Sequence, residues 1–356
     1  MGAFIGKLKS NKVFGALFNM IISQQVFADN IAGTNSNLVN DARVDGTLYG
    51  DTKLYYSTDV LGSKPWKGDA EAANLLELHR PMVPDQQAIV LDQFRQIELT
   101  LDNYLTKQAW MNEGAFAEFS SVVSGAIAET KKVYESKLYN TFIGTTSSAS
   151  PKQNISVQTV PEHEAQDIAL ALSDLIVALK DPSRDFNDYG NMRSYEDSMI
   201  KVIWNAKYVN KIRKIDLPTI FHNENLIEHF TDYVLPSKYF GTVAKSGTAD
   251  GKQLSLVEKD YNEVKRDNPL YKRELHIFPG DAIPASKAFG DNEAYTVDDS
   301  VICKVYIKLP PIMSAFEVAT SFFNAKSLTE NRYVTWGYNT LEYLKNYPCI
   351  TLKKAA

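Results

Sequence analysis

The sequence predicts an α+β protein whose helices are bracketed by strands. Three observations carry this. Apolar residues alternate between about 86 and 105, they switch to the 3.6-residue period of a helix over 113–143, and alternation returns after residue 300. Strands at both ends mean that the chain turns back on itself, with the C-terminal strands pairing against the strand near residue 95.

The first 44 residues read as an N-terminal arm. Phe14, Leu17, Phe18, Ile21 and Ile22 fall on one face at helical spacing. The same stretch, with Lys7, Lys9 and Lys12 before it and Val26-Phe27-Ala28 after it, also has the shape of a secretory signal, although Asn19 and Ser23-Gln24-Gln25 interrupt it. Residues 45–85 read as a long, exposed, hairpin-like loop. Lys53-Leu54-Tyr55-Tyr56 is strand-like, Gly46, Gly50 and Gly62 punctuate it, and the part around Pro65 has too few apolar residues to build a core. Such a loop needs a partner. Lys64, Trp66, Lys67 and Arg80 are the residues expected to meet it, because an exposed Trp flanked by bases fits an interface anchor. Phe14 and Phe18 are the corresponding contacts on the arm.

Residues 86–150 hold the alternating strand (Ile89, Leu91, Phe94, Ile97, Leu99, Leu101) and then the long helix. Asn112 suits its N-cap and Gly144 its stop. At ~1.5 Å per residue the helix is roughly 45 Å long, a strut by any ordinary standard. Its Lys131 and Lys132 fit a solvated face better than a DNA contact.

Residues 151–298 begin at a Ser/Thr/Pro boundary. A helix over 162–180 carries the stripe Ile168, Leu172, Leu175, Ile176 and Leu179, and Asp181-Pro182 ends it. A buried strand follows around Ile200–Trp204, then a helix over 217–235 with Pro218 in its first turn. A loop-rich stretch contains one short strand near Leu275–Phe278. Residues 299–356 revert to strands: Val301, Cys303, Val305 and Ile307 alternate, as do Phe316, Val318, Thr320 and Phe322. Tyr333–Tyr338 and Ile350–Leu352 supply two more. Tyr333, Trp336 and Tyr338 read as core rather than as a ligand platform.

Composition narrows the function. The net charge of −5 is wrong for a protein whose main task is to grip DNA. Cys303 and Cys349 lack a CxxC partner and read as two buried thiols. No P-loop, dinucleotide fingerprint or nucleophile elbow is present. His163-Glu164 begins a zinc-type motif, but Asp167 stands where the second His belongs. His222 and His229, seven apart on a helix, lie about 10 Å from each other, too far to share a metal. Asp181, Asp185 and Asp188 break the calcium-loop pattern and read as a solvated turn. No catalytic residue, cofactor or metal is expected, and no membrane span.

The order of these elements resembles the Hong Kong 97-type capsid fold, with N-arm (1–44), extended E-loop (45–85), peripheral domain with spine helix (86–150), axial domain (151–298) and strands returning to the peripheral domain (299–356). Within it the chain looks most like the major capsid proteins of small podoviruses of the phi-29 type. Two stretches carry the likeness. One runs from Arg80-Pro81-Met82-Val83 through Phe94-Arg95-Gln96, Thr100–Lys107, Gly114-Ala115-Phe116 and Phe119-Ser120-Ser121 to Tyr139. The other runs from Val301 through Asn324 and Asn331–Tyr338 to Ile350. Together they cover about a third of the chain. The resemblance implies a non-enzymatic subunit that self-assembles into hexamers and pentamers of an icosahedral virion capsid, built in the host cytoplasm. Its partners would be portal and scaffolding proteins and packaged double-stranded DNA, held non-specifically. An encapsulin-like compartment shell, an exported hydrolase with a cleaved signal, and a portal or tail component are the competing readings.

Overall fold

Two five-stranded mixed sheets, each assembled from strands distant in sequence, organise the chain. The structure is a computed structural model and describes residues 36–46, 51–66, 78, 80–102, 131–132, 135–136, 138–213, 231–245, 257–259, 276–278, 293–327, 329–339 and 341–355. In order, the elements are α1 (Ser36–Ala42), β1 (Arg43–Asp45), β2 (Thr52–Ser57), β3 (Asp85–Asp102) and α2, which is helical at 131–132, 135–136 and 138–145. Then come β4 (Asn154–Val157), α3 (Glu164–Lys180), β5 (Lys201–Asn205), α4 (Ala206–Arg213), β6 (Thr231–Leu235), β7 (Gly241–Lys245), β8 (Val257–Lys259) and β9 (His276–Phe278). The last are β10 (Glu293–Val297), β11 (Val301–Tyr306), β12 (Ile312–Asn324), β13 (Thr329–Asn339) and β14 (Cys349–Lys354).

The first sheet has the order β1-β12-β13-β3-β2. Its long antiparallel ladder runs from Thr329 opposite Asp102 to Asn339 opposite Leu91, which brings Trp336 beside Arg95. This is the return implied by the two alternating stretches. On β3, Ile89, Leu91 and Leu99 are buried and Ile97 is half-buried. Phe94 corrects the expected stripe: it is an even position among odd ones, so the two-residue period turns it to the other face, where it is exposed.

The second sheet has the order β4-β14-β11-β5-β6. Its centre, β11, is antiparallel to both β14 and β5 and buried on both faces from Val301 to Tyr306. The expected alternation of a half-buried strand is therefore corrected: the intervening Ile302, Lys304 and Tyr306 are buried too, because the sheet is covered on both sides. The strands of 299–356 divide between the sheets, β12 and β13 joining the first, β11 and β14 the second. Cys303 and Cys349 are buried free thiols.

One core fills the space between the sheets. It contains Leu38, Val39 and Ala42 of α1, Leu138, Tyr139, Phe142 and Ile143 of α2, Ile203 and Tyr306 of the second sheet, and Trp336 and Tyr338 of the first. A second core lies on the far face of the second sheet, where the α3 stripe Ile168, Leu172, Leu175, Ile176 and Leu179 meets Val202, Trp204, Val305 and Leu352. Asp181 follows α3 in extended conformation, as Pro182 requires.

Two helix expectations are corrected. Residues 231–235 form β6, parallel to β5 with Thr231 opposite Lys201, rather than the end of a helix. A parallel neighbour needs a crossover connection, and α4 begins that crossover directly after β5. The rest of 217–235, up to 230, lies outside the described residues, as do 113–130 of the long helix. Gly144 does not stop α2, which continues to 145. Its role is close approach: an added Cβ would overlap the Tyr239 carbonyl oxygen and sit 2.6 Å from the carbonyl carbon. Gly144→Ala is expected to lower unfolding free energy by about 1–3 kcal/mol, the usual cost of overpacking, read as a reduced urea midpoint at unchanged slope.

Candidate assembly interface

The features best suited to meet a partner are the hairpin loop between β2 and β3 and the clamp that aims it. β2 and the start of β3 form the two arms, from Thr52 opposite Val90 to Ser57 opposite Asp85. Among the described residues between Ser57 and Asp85 no strand continues the sheet.

The base of this excursion is held from two sides. On one side stands the loop 182–195. Asn191 Nδ2 donates to Ser57 Oγ (2.7 Å) and Asp85 Oδ2 (3.0 Å). Arg193 donates to the Thr58 carbonyl (2.6 Å) and Ser57 Oγ (3.0 Å). The Met192 N–H donates to Asp59 Oδ1 (2.9 Å), and Arg184 pairs with the same carboxylate. Together the Met192 N–H and the Arg184 guanidinium pull the Asp59 carboxyl down to about 2. On the other side, Gln87 Nε2 donates to the Tyr343 carbonyl and its Oε1 accepts from the Lys345 N–H, both at 2.9 Å. Ser57 Oγ donates to Asn346 Oδ1 (2.5 Å).

The clamping loop is itself rigidly folded. Ser183 and Arg193 exchange backbone hydrogen bonds of 2.9 and 3.0 Å. Buried Asn187 and Asn191 bond across the turn, whose Gly190 has φ +71°, a conformation most side chains avoid. Asp188 ties the loop inward. Its carboxylate accepts from Ser148 Oγ (2.7 Å), Gln153 Nε2 (2.9 Å) and Tyr343 OH (2.5 Å). Asp188 is thus a structural hub and not part of a solvated turn. Asp185 pairs with Lys152, and Asp181 is exposed.

What the clamp presents is apolar. Trp66 is 90% exposed and Val83 88%, with Leu61, Leu78 and Met82 exposed close by in sequence. Fully burying a side chain of this kind is worth roughly 1.5–3 kcal/mol, so five in one excursion leave a large term unused in the single subunit. Of the expected contacts, Lys64, Trp66 and Arg80 lie exposed on the excursion. Lys67, Phe14 and Phe18 lie outside the described residues. Sequence reading singled out the charged residues and Trp66 but passed over Leu61, Leu78, Met82 and Val83. Their signal was there, as large apolar side chains in a segment with no periodicity and no core to join. The clamp had no local signal, since Asp59 meets Arg184 and Met192 only through the fold.

Elsewhere, His163 precedes α3 and is exposed, and it makes no capping bond. Lys131 lies 5.8 Å from the Trp336 ring centre, a cation–π contact, while Lys132 is exposed. His222 and His229 lie outside the described residues. Among the described residues, no group of three or more His, Cys, Asp or Glu could hold a metal ion, and no helix is long and apolar enough to cross a membrane.

No known family model matches the chain, and no curated protein matches it in sequence. Solved structures do match. A chain in the capsid structure of Staphylococcus phage Andhra superimposes with a TM-score of 0.64 at 12% identity, covering 94% of this chain and 88% of that one. A chain in the structure of the head fiber and inner core protein gp22 of native bacteriophage P68 gives 0.63 at 12% identity, covering 93% and 88%. At such identity the likeness is one of fold, and nearly the whole chain shares its mixed helix-and-sheet architecture with a chain found in a phage capsid.

Proposed function

We propose that this chain is a phage major capsid protein of the Hong Kong 97-like type, a structural subunit and not an enzyme. The observation that carries the reading is the fold shared along 94% of the chain with a chain of the Andhra capsid structure. The clamped excursion with its unburied apolar side chains supports it, because a shell supplies the partner surface that the lone subunit lacks.

In this reading residues 1–44 are the arm, 45–85 the E-loop, 86–150 the peripheral strand and spine, and 151–298 the axial domain. Within 299–356, β12 and β13 complete the peripheral sheet, whereas β11 and β14 belong with the axial strands. Hexamers and pentamers assemble in the host cytoplasm with portal and scaffolding proteins and close around double-stranded DNA, as in podoviruses of the phi-29 type. The inner surface touches DNA without reading its sequence.

Negative-stain electron microscopy of the purified chain tests this. Closed particles with five- and six-fold vertices are expected. Monomers that stay dispersed at high concentration overturn the reading, and twelve-fold rings would point to a portal instead.

A further inference from the structure

A second outlying limb stands apart from the excursion. β12 and β13 form a hairpin whose outer end carries Phe322 and Phe323, exposed by 64% and 52%. Neighbouring residues of a strand point to opposite faces, so neither face of the hairpin is covered at this end. Thr320 and Ser321, just before them, are exposed as well.

Among the described residues the edge of this limb is open too. β13 lies along one side of β12 from Ser314 to Asn324. On the other side β1 pairs only with Ile312, Met313 and Ser314. Among the described residues no strand lies beside the outer edge beyond Ser314. The bulge in the β12–β13 register falls between Ser314 and Glu317, so the remaining stretch is regular. Its six residues Val318-Ala319-Thr320-Ser321-Phe322-Phe323 contain no charge and no proline.

Soluble proteins guard such edges with lysines, prolines, bulges or a covering segment, because a bare edge recruits strands. Here the bulge guards only the inner end. An uncharged, six-residue, β-prone edge that ends in two exposed phenylalanines has the character of a pairing surface.

We propose that the outer edge of β12, from Val318 to Phe323, is completed in the assembled particle by an extended segment of a second copy of this chain, which adds as a strand to the first sheet. This rests on the capsid reading and deepens it. The occupant is a sister copy because a closed shell places sister copies around each subunit, and because the edge offers no charge by which to select a foreign partner. The β1 pairing at Ile312–Ser314 shows that the same edge already accepts a strand. About three N–H and three C=O groups would gain partners over six residues, since alternate residues face outward. Side chains of the added strand would lie beside Phe322 on one face and Phe323 on the other.

Hydrogen exchange of assembled particles, compared with subunits dissociated from the same preparation, tests the inference. Outward-facing amides of Val318–Phe323 are expected to slow by about a hundredfold or more on assembly. The alternate amides, already bonded to β13, should change little. That every-second-residue pattern separates strand pairing from simple burial, which would protect both sets alike. Particles whose outward amides exchange as fast as in free subunits, or in which both sets slow together, overturn the inference and leave the capsid reading standing. Failure to form particles overturns both.

Discussion

Trp66→Ala is expected to leave the subunit folded and soluble while cutting shell yield about tenfold or more. The two halves of this result have separate causes. Trp66 is 90% exposed, so its loss removes almost nothing that the isolated subunit uses. Surface substitutions of this kind move stability by about 0.5 kcal/mol at most. At an interface the same ring is a large, stiff apolar anchor, and truncating such an anchor commonly costs about 2 kcal/mol or more, which is roughly thirtyfold in a contact equilibrium. Every contact in the shell carries the loss. Trp66→Phe should restore most of the yield, since a ring remains, and circular dichroism should be unchanged in both variants. Wild-type particle numbers for Trp66→Ala under the electron microscope would show that the excursion does not hold sister copies together.

The sequence was most legible where periodicity met burial on one side. The α3 stripe and the long alternation on β3 could be read directly, because each buries a single face against a core. The return of the C-terminal strands to β3 followed from the order of alternating segments. Elements buried on both faces were harder. β11 looked like a half-exposed strand because Lys304 breaks its apolar run, yet Lys304 is buried. β6 was hidden because Asp232, Tyr233 and Val234 carry no clear period, and its strand character comes from pairing with β5. The interface was half legible. Exposed apolar residues in an aperiodic loop are visible in sequence, but the direction in which the loop points is set by Asp59, Asn191 and Arg193, whose bonds across the clamp join residues 106 to 136 positions apart and form only after folding.

The gap in stability between the wild type and Lys304→Met should change with pH, in the wild type's favour as pH rises. Lys304 sits at the centre of the second sheet, opposite Ile203 on β5 and Thr351 on β14. Its ammonium donates to the Thr146 carbonyl, one residue past the end of α2, where a cation offsets the helix dipole and satisfies a buried acceptor. Among the described residues no carboxylate pairs with it. Burial pushes its pKa down from 10.5 to about 8, against the smaller opposing pull of Asp298. Between these values the unfolded chain binds more protons than the folded one, so stability grows with pH across that window and is lost again as pH falls through 8. The full difference corresponds to about 3 kcal/mol, near 1.4 kcal/mol per pH unit. The buried thiols of Cys303 and Cys349 work the other way, because burial raises their pKa and the unfolded chain ionises first. Comparing wild type with variant cancels that opposing contribution. At pH 7 methionine removes the desolvated charge but strands the Thr146 carbonyl, two effects of similar size, so the proteins should be close in stability. By pH 10 the wild type should lead by roughly 2–3 kcal/mol in urea unfolding. Lys304→Arg, charged throughout, should show neither the gain nor wild-type stability. Parallel wild-type and methionine curves from pH 7 to 10 would mean that the amine reaches water, and that α2 is not fastened to the second sheet through it.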